Sequence, residues 1–238
     1  MNTSMSSVLV AGIAISVLVG CDNKQSSDAA TSQTVTNGIP PSAPADANAQ
    51  HSSLLAAAEP FETLTEQAGT ANSAVLSQLV ADVRRAANAV SRSLDQGQRA
   101  TLKSQLDEIA ANEKAGDRTG VALAAVEGYR TLVESAPDNA PTPRAVSLLD
   151  YAGFRFQANL SAKPLRWDDA AAAVDFADQH WATLAPKISD TSLRSEMSRS
   201  VADMRKAVEA KNEPLAKSAS TTELDLVDKL EAYFTAQK

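Results

Sequence analysis

Apolar residues recur three and four positions apart along most of this chain, and this periodicity constrains its fold more than any other feature. In an α-helix such residues form a stripe that must pack against other helices. Gly accounts for only 9 residues and aromatic residues for 4%, and no run of alternating β-branched residues suggests a strand. The sequence predicts an all-α bundle of about seven helices within residues 54–238. Six helices show stripes: Leu76, Leu79, Val83, Ala86 and Val90; Leu102, Leu106 and Ile109; Ala122, Val126, Tyr129 and Val133; Trp167, Ala170, Val174, Ala177, Trp181 and Leu184; Leu193, Met197, Val201, Met204 and Val208; Leu226, Leu230 and Phe234.

A second pattern repeats at an offset of 95 residues. Residues suited to cap a helix N-terminus recur at this offset, and Gln98 completes a capping box in the first copy. The pattern predicts a three-helix unit, 70–136, repeated at 168–236, with a fourth helix at 145–160 between the copies. The sequence leaves open the alternative that the helices align by periodicity alone. The matched positions are Asp95 with Asp190, Asp117 with Asn212, and Leu102, Leu106 and Ile109 with Met197, Val201 and Met204.

Residues 8–19 form an apolar run near the N-terminus. A membrane-spanning helix needs roughly 20 apolar residues, whereas the apolar core of a secretory signal has about 7–15. The run ends in Leu18-Val19-Gly20-Cys21, which resembles the lipobox of bacterial lipoproteins. The resemblance implies removal of residues 1–20 as a signal peptide and lipidation of Cys21. Residues 1–7 contain no Lys or Arg, which departs from the usual pattern. A short buried helix with a chance Cys is the alternative.

The resemblance also implies a location. A lipidated Cys21 would hold the protein on the periplasmic side of a bacterial membrane, and Asp22 next to it resembles the signal for retention in the inner membrane. Residues 21–53 are rich in Ser, Ala, Asn, Gln, Thr and Pro and lack periodicity. We therefore expect them to form a disordered tether with a reach of roughly 30 Å, in which His51 is solvated.

The charge excludes some partners. The chain has a formal net charge of −7 and a pI near 4.9. Binding to nucleic acid needs a basic face, and so does attraction to anionic lipid headgroups. The sequence therefore predicts no nucleic-acid partner, and membrane contact through the lipid anchor alone.

No motif in the sequence indicates catalysis. Patterns for covalent haem, zinc, dinucleotides, nucleoside triphosphates and serine hydrolases are all missing. We therefore expect no cofactor and a domain that is not an enzyme, although an active site assembled only in three dimensions stays open. The alternative is a bundle that holds a cofactor or metal near His180, for example a haem between His180 and Met197 or Met204.

One region could hold a ligand. Six of the ten aromatic residues fall between positions 151 and 181. The helix around Phe156 is apolar on most sides, which predicts a central position in the bundle. Aromatic rings near a few polar groups are typical of ligand pockets, and equally of a core where two halves meet. The candidate pocket residues are Tyr151, Arg155, Trp167, His180 and Trp181.

These observations predict a lipid-anchored periplasmic protein with a helical, non-enzymatic domain. Its expected partners are the membrane, through Cys21, and an envelope protein or a small ligand. The sequence does not identify the partner.

Overall fold

The protein is described by a computed structural model that covers residues 44–138 and 142–237. Signal peptide, Cys21 and Asp22 lie outside these residues. The described residues form eight α-helices and two short 3₁₀ helices, Ser91–Ser93 and Ala185–Lys187, with no strand, which confirms the predicted all-α fold. The α-helices are α1 (Pro44–Gln67), α2 (Ser73–Val90), α3 (Gln96–Ala115), α4 (Arg118–Ser135), α5 (Arg144–Ser161), α6 (Trp167–Leu184), α7 (Thr191–Glu209) and α8 (Glu213–Ala236).

The first helix, α1, was not predicted. It begins at Pro44, so the expected boundary of the tether at residue 53 is wrong. Proline fits the first turn of a helix because its missing N–H would have no intrahelical partner there. Among the described side chains of α1, the buried apolar ones are Leu54, Ala57, Ala58, Phe61 and Leu64, all of which follow residue 53, and Pro60 lies within the helix. Composition therefore suggested a tether where tertiary packing stabilises a helix.

The eight helices form two units with the same order of packed pairs. In the first unit, α1 packs on α2 and α4, and α3 packs on α4 and, less closely, on α2. The second unit repeats this arrangement with α5, α6, α7 and α8. Each unit therefore contains four helices, which corrects the prediction of three. Helix α5, expected to lie between two copies, is the first helix of the second unit.

Matching positions in the two units share burial and caps. Asp95, Asp117, Asp190 and Asn212 all cap helices as predicted, and Asp95 forms the capping box with Gln98. Helices α2 and α6 are each followed by a 3₁₀ turn. Their buried residues match at an offset of 94: Leu76, Val80, Val83, Ala87 and Val90 correspond to Ala170, Val174, Ala177, Trp181 and Leu184.

Helix α5 lies in both cores, which confirms its predicted central position. One side contributes to the core of the first unit and the other side to the core of the second, because its apolar residues surround the helix. Helices α4 and α5 also pack directly on each other and join the two units. The residues facing the first core are Leu148, Tyr151, Phe154 and Ala158; those facing the second are Val146, Leu149, Ala152, Phe156 and Leu160.

Candidate functional site

Three of the five predicted pocket residues belong to a network that connects α4, α5 and α6. Arg155 Nη1 donates a hydrogen bond to the hydroxyl of Tyr151 at 2.7 Å, and this hydroxyl lies 2.8 Å from Glu127 Oε1. The ring of His180 packs on Phe176 with 4.3 Å between centroids. Within this network, the carboxylate of Glu127, the hydroxyl of Tyr151 and the guanidinium of Arg155 serve as hydrogen-bond partners for one another.

Arg130 covers the aromatic part of the same network. Its guanidinium carbon lies 5.4 Å from the ring centre of Tyr151 and 4.9 Å from that of Phe176. Burial, followed by the nearby Glu127, raises the pKa of Tyr151 to about 12. Burial lowers the pKa of His180, which favours its neutral form. Because the cation of Arg130 lies over the rings of Tyr151 and Phe176, it occupies the side of the network from which a ligand would reach these rings.

The two tryptophans lie elsewhere, in the core of the second unit. Trp181 is 7% exposed and donates through Nε1 to Ser198 Oγ at 2.9 Å. Trp167 is half-buried at the start of α6 and packs on the same core. The five predicted residues therefore lie in two places, three in the network between α4, α5 and α6 and two in the core of the second unit. Their positions agree with the alternative of a core where two halves meet.

The geometry gives no support to a cofactor at His180. Met197 and Met204 are fully buried in the second core, whereas His180 faces Phe176 and is close enough to Arg130 and Glu134 for their charges to affect its pKa. Across residues 44–138 and 142–237, no group of three or more His, Cys, Asp or Glu side chains is placed to hold a metal ion.

A cleft at the junction of the two units is the strongest candidate site. Helices α4 and α5 form its floor, while α1, packed on α4, and α8, packed on α5, form its walls. The cleft comprises two cavities of about 430 and 190 Å³ that share Leu55, Ser147 and Glu231. The larger cavity is also lined by Ala58, Glu59, Glu62, Thr63 and Tyr129, and the smaller by His51, Val133, Ala136, Thr142, Arg144 and Thr235.

The larger cavity is the acidic end of the cleft. Glu62 is half-buried in its wall, and Glu59 and Glu231 are exposed at its rim. Burial, and then repulsion from Glu66, Glu231 and Glu59, raises the pKa of Glu62 to about 7. Among the described residues, the ion pairs include none to these carboxylates. The acidic end therefore carries negative charge that the described residues leave uncompensated.

The floor beneath the acidic end contains a buried polar pair. The hydroxyl of Tyr129 donates to Asp150 Oδ2 at 3.0 Å. Burial is the main cause that raises the pKa of Asp150 well above its usual range, and neighbouring Glu62 adds to it. Burial therefore disfavours the charged form of Asp150, whereas a positive charge in the cleft would favour it.

The smaller cavity is lined by one basic residue, Arg144, and shares the acidic Glu231 with the larger cavity. Arg144 Nη2 donates to the carbonyl oxygen of Ala136 at 2.6 Å. Its Nε is buried and has no hydrogen-bond partner among the described residues. His51 lies on the opposite wall, where its Nδ1 hydrogen-bonds to the carbonyl oxygen of Pro137 at 2.7 Å. His51 is therefore part of the folded domain, and the expectation that it is solvated in a tether is wrong.

Sequence reasoning missed this cleft for two reasons. Its first wall is α1, which the composition assigned to the tether in part. Its charged groups, at positions 59, 62, 144 and 231, lie far apart in the chain and meet only through the packing of four helices. The spacing of Glu59 and Glu62, one helical turn apart, was the one local signal.

Comparison with protein-family models, curated proteins and solved structures found no match to this chain. Within the part of the chain that the structure describes, no helix combines the length and the apolar character needed to cross a membrane.

Proposed function

We propose that this protein is a lipid-anchored envelope protein whose helical domain binds a small ligand in the cleft between its two units. The lipobox-like segment that ends at Cys21 supports the anchor. One observation carries the binding site: carboxylates that form no ion pair within the described residues line the same cleft as the guanidinium-bearing Arg144. Small-ligand sites are typically concave surfaces with a few convergent polar groups.

The surface of the domain favours a small ligand over a protein docked through an apolar face. Among the large hydrophobic side chains that the structure describes, only Val75 is exposed, at 42%. Protein interaction sites commonly expose contiguous apolar patches of several hundred Å². A single valine cannot form such a patch, whereas the cleft offers a concave volume with several charged side chains in its lining.

Mass spectrometry of the intact protein tests both parts of this proposal. The protein is purified in mild detergent from the membranes of the cells that make it. We expect a denatured mass that begins at Cys21 with its acyl chains, and a native mass that is higher by one small molecule. Cys21→Ala should remove the lipid because the sulfur is its attachment point, while Ser26→Ala, a nearby control, should keep it.

Filling the cleft tests where the small molecule binds. Leu55 lines both cavities, so Leu55→Trp should expel the molecule and return the native mass to that of the protein alone. Leu79→Trp, at a partly buried leucine of α2 outside the cleft, is the matched control and should keep it. Lipid on Cys21→Ala, or equal retention by both tryptophan variants, would contradict the proposal.

A further inference from the structure

We propose that Asp150 and Glu223, two buried acids at the contact between α5 and α8, form a proton-dependent latch: in their protonated form they hold α8 on α5, and their ionisation releases it. The proposal goes beyond ligand binding, because it concerns a movement of the domain itself. Three observations carry it: the burial of Glu223 without a partner, the position of Asp150 near it, and the different residues at the equivalent contact of the first unit.

Glu223 lies on the α8 side of this contact. It is fully buried, and neither of its carboxylate oxygens has a hydrogen-bond partner within the described residues. Its carboxylate occupies the space beside Gly153 of α5, where an added Cβ would collide with it. A buried charge without a partner is far more costly than a buried neutral group without one. The closed contact therefore accepts the protonated acid much more readily than the carboxylate.

Asp150 is the second acid of the contact. It lies one helical turn before Gly153 on α5, and its Oδ2 accepts a hydrogen bond from the hydroxyl of Tyr129 on α4 at 3.0 Å. Burial, and then the charge of Asp150, raises the pKa of Glu223 well above its usual range. Burial is also the main cause that raises the pKa of Asp150. Water that reaches both acids when the contact opens therefore favours the loss of both protons.

The charged groups around the two acids oppose their ionisation. Those that raise the pKa of Asp150 are Glu62 of α1 and Glu231 and Asp228 of α8, all acidic. The ion pairs that the described residues form include none to Asp150 or Glu223. The groove between α7 and α8, which Glu223 does not line, contains these charged residues: Glu196, Arg199, Asp203, Asp225 and Lys229. The residues three and four positions from Glu223 on its own helix are uncharged: Ala219, Ser220, Leu226 and Val227.

The first unit builds the equivalent contact, between α1 and α4, without these acids. At the offset of 95 residues, Leu55 corresponds to Asp150 and Gly128 to Glu223. Gly128 leaves room for the ring of Phe61, with which an added Cβ would collide. The packing of this pair of helices therefore does not require a buried acid. The offset is supported by three matching buried pairs of α1 and α5: Leu54 with Leu149, Ala57 with Ala152, and Phe61 with Phe156.

The direction of the latch follows from the pKa values. Opening returns Asp150 and Glu223 to water, where their pKa values fall towards the ordinary 3.8 and 4.5. At any pH between these ordinary values and the raised ones, the closed contact binds more protons than the open one. The closed form is therefore favoured at low pH, and each pH unit in this range favours opening by up to about tenfold for each acid.

Release of α8 also affects the cleft, because α8 forms one of its walls. A small ligand held in the cleft should therefore bind more weakly as the pH rises. This consequence alone rests on the proposed ligand-binding function, whereas the latch itself needs no ligand.

Amide hydrogen exchange of the full-length lipidated protein in detergent, measured from about pH 5 to pH 9, tests the latch. Exchange is expressed as protection factors, so that the pH dependence of the intrinsic exchange rate cancels. Release of α8 lowers protection along α8, because an undocked helix frays without its tertiary contacts. In wild type, we expect the protection of α8 relative to α2 and α3 to fall by roughly tenfold or more between pH 6 and pH 8.

Variants assign this fall to the two acids. Glu223→Gln cannot lose a proton, and Asp150→Asn cannot either, while its amide oxygen can still accept the hydroxyl of Tyr129. Each should reduce the fall by at least roughly threefold, and the double variant should remove it. Asp225→Asn, at an exposed position of α8, also loses one carboxylate and is the matched control, which should behave like wild type.

Circular dichroism of each variant verifies that the helices are intact, and Asp150→Asn provides the comparison if Glu223→Gln fails this check. Protection of α8 that does not change with pH in wild type would overturn the latch. An equal loss in all the described helices would also overturn it, since the acids would then only lower the stability of the whole domain. So would a fall that persists in the double variant. None of these outcomes alters the native mass that tests ligand binding, so the two proposals fail independently.

Discussion

Glu223 of α8 is the residue that least fits its surroundings. It is fully buried, and neither of its carboxylate oxygens has a hydrogen-bond partner within the described residues. It occupies the space that Gly153 of α5 leaves open, where an added Cβ would collide with the carboxylate. Burial, with a smaller contribution from Asp150, raises the pKa of Glu223 well above its usual range. Glu223 therefore fills a packing gap in an environment that disfavours its charged form.

Replacing this acid by an apolar side chain of similar length should stabilise the protein. Glu223→Met keeps the volume beside Gly153 and removes two buried oxygens without partners. We expect the free energy of unfolding at pH 7 to rise by about 1–3 kcal/mol, measured by urea denaturation. Glu209→Met, at an exposed position of α7, is the control and should change it little. A lower free energy for Glu223→Met would show that the acid has a partner or role that the packing does not reveal.

Glu62 should make stability depend on pH near neutrality. Its pKa is raised to about 7 in the folded protein from an ordinary value of 4.5, so the folded state binds more protons between these values. The contribution of Glu62 to the free energy of unfolding is then greatest below pH 4.5, and it is lost as the pH rises through 7. We expect a loss on the order of 1 kcal/mol between pH 5.5 and 8, since Glu62 is only half-buried.

Thermal unfolding of wild type and Glu62→Gln across this pH range measures the effect. The wild-type midpoint should fall with rising pH more steeply than that of the variant. Parallel curves would contradict the uncompensated charge assigned to the acidic end.

At the level of single helices, the ends of α3 and α7 offer an internal comparison. Each helix is followed by a residue with a positive φ at a matching position: Gly116, directly after α3, has a φ of 73°, and Lys211, the second residue after α7, has a φ of 48°. Glycine adopts this left-handed conformation without steric cost, whereas other residues lose roughly 1 kcal/mol or more. In the first unit, the left-handed position after α3 is thus occupied by Gly116, the favoured residue type. In the second unit, the position after α7 is occupied by Lys211, whose backbone is strained.

Exchanging these residues should have opposite effects. Lys211→Gly should raise the free energy of unfolding by up to about 1 kcal/mol, and Gly116→Lys should lower it by a similar or larger amount. Urea denaturation of the two variants measures both. A loss of stability in Lys211→Gly would mean that the lysine side chain contributes more than the strain costs.

Helix boundaries with local signals could be predicted from the sequence, and those without could not. The four N-caps were found because Asp and Asn bind backbone N–H groups of their own helix, an interaction that the neighbouring residues determine. Helix α1 carries weaker signals, since its first ten residues, 44–53, contain no large apolar residue and Pro60 lies within it. Its place on α2 and α4 supplies the stability that its own sequence does not indicate.

At the largest scale, residues 44–138 and 142–237 form two four-helix units joined through α4 and α5, with α5 in both cores. The 95-residue offset indicated a repeat, but the missing α1 reduced the unit to three helices and left α5 outside it. The cleft results from the packing of α4 on α5, because α1 and α8 flank this pair of helices. No sequence pattern could place Glu62, Arg144 and Glu231 around one cavity before this join was known.

Amide hydrogen exchange of the full-length lipidated protein, with its co-purified small molecule bound and after that molecule is removed, tests the central claim most directly. If the ligand binds between the two units, protection should increase in the cleft-lining segments of α1, α4, α5 and α8, and α2, α3, α6 and α7 should change little. Protection confined to α6, around Trp167 and Trp181, or to the outer helices α2, α3 and α7, would contradict the cleft as the binding site.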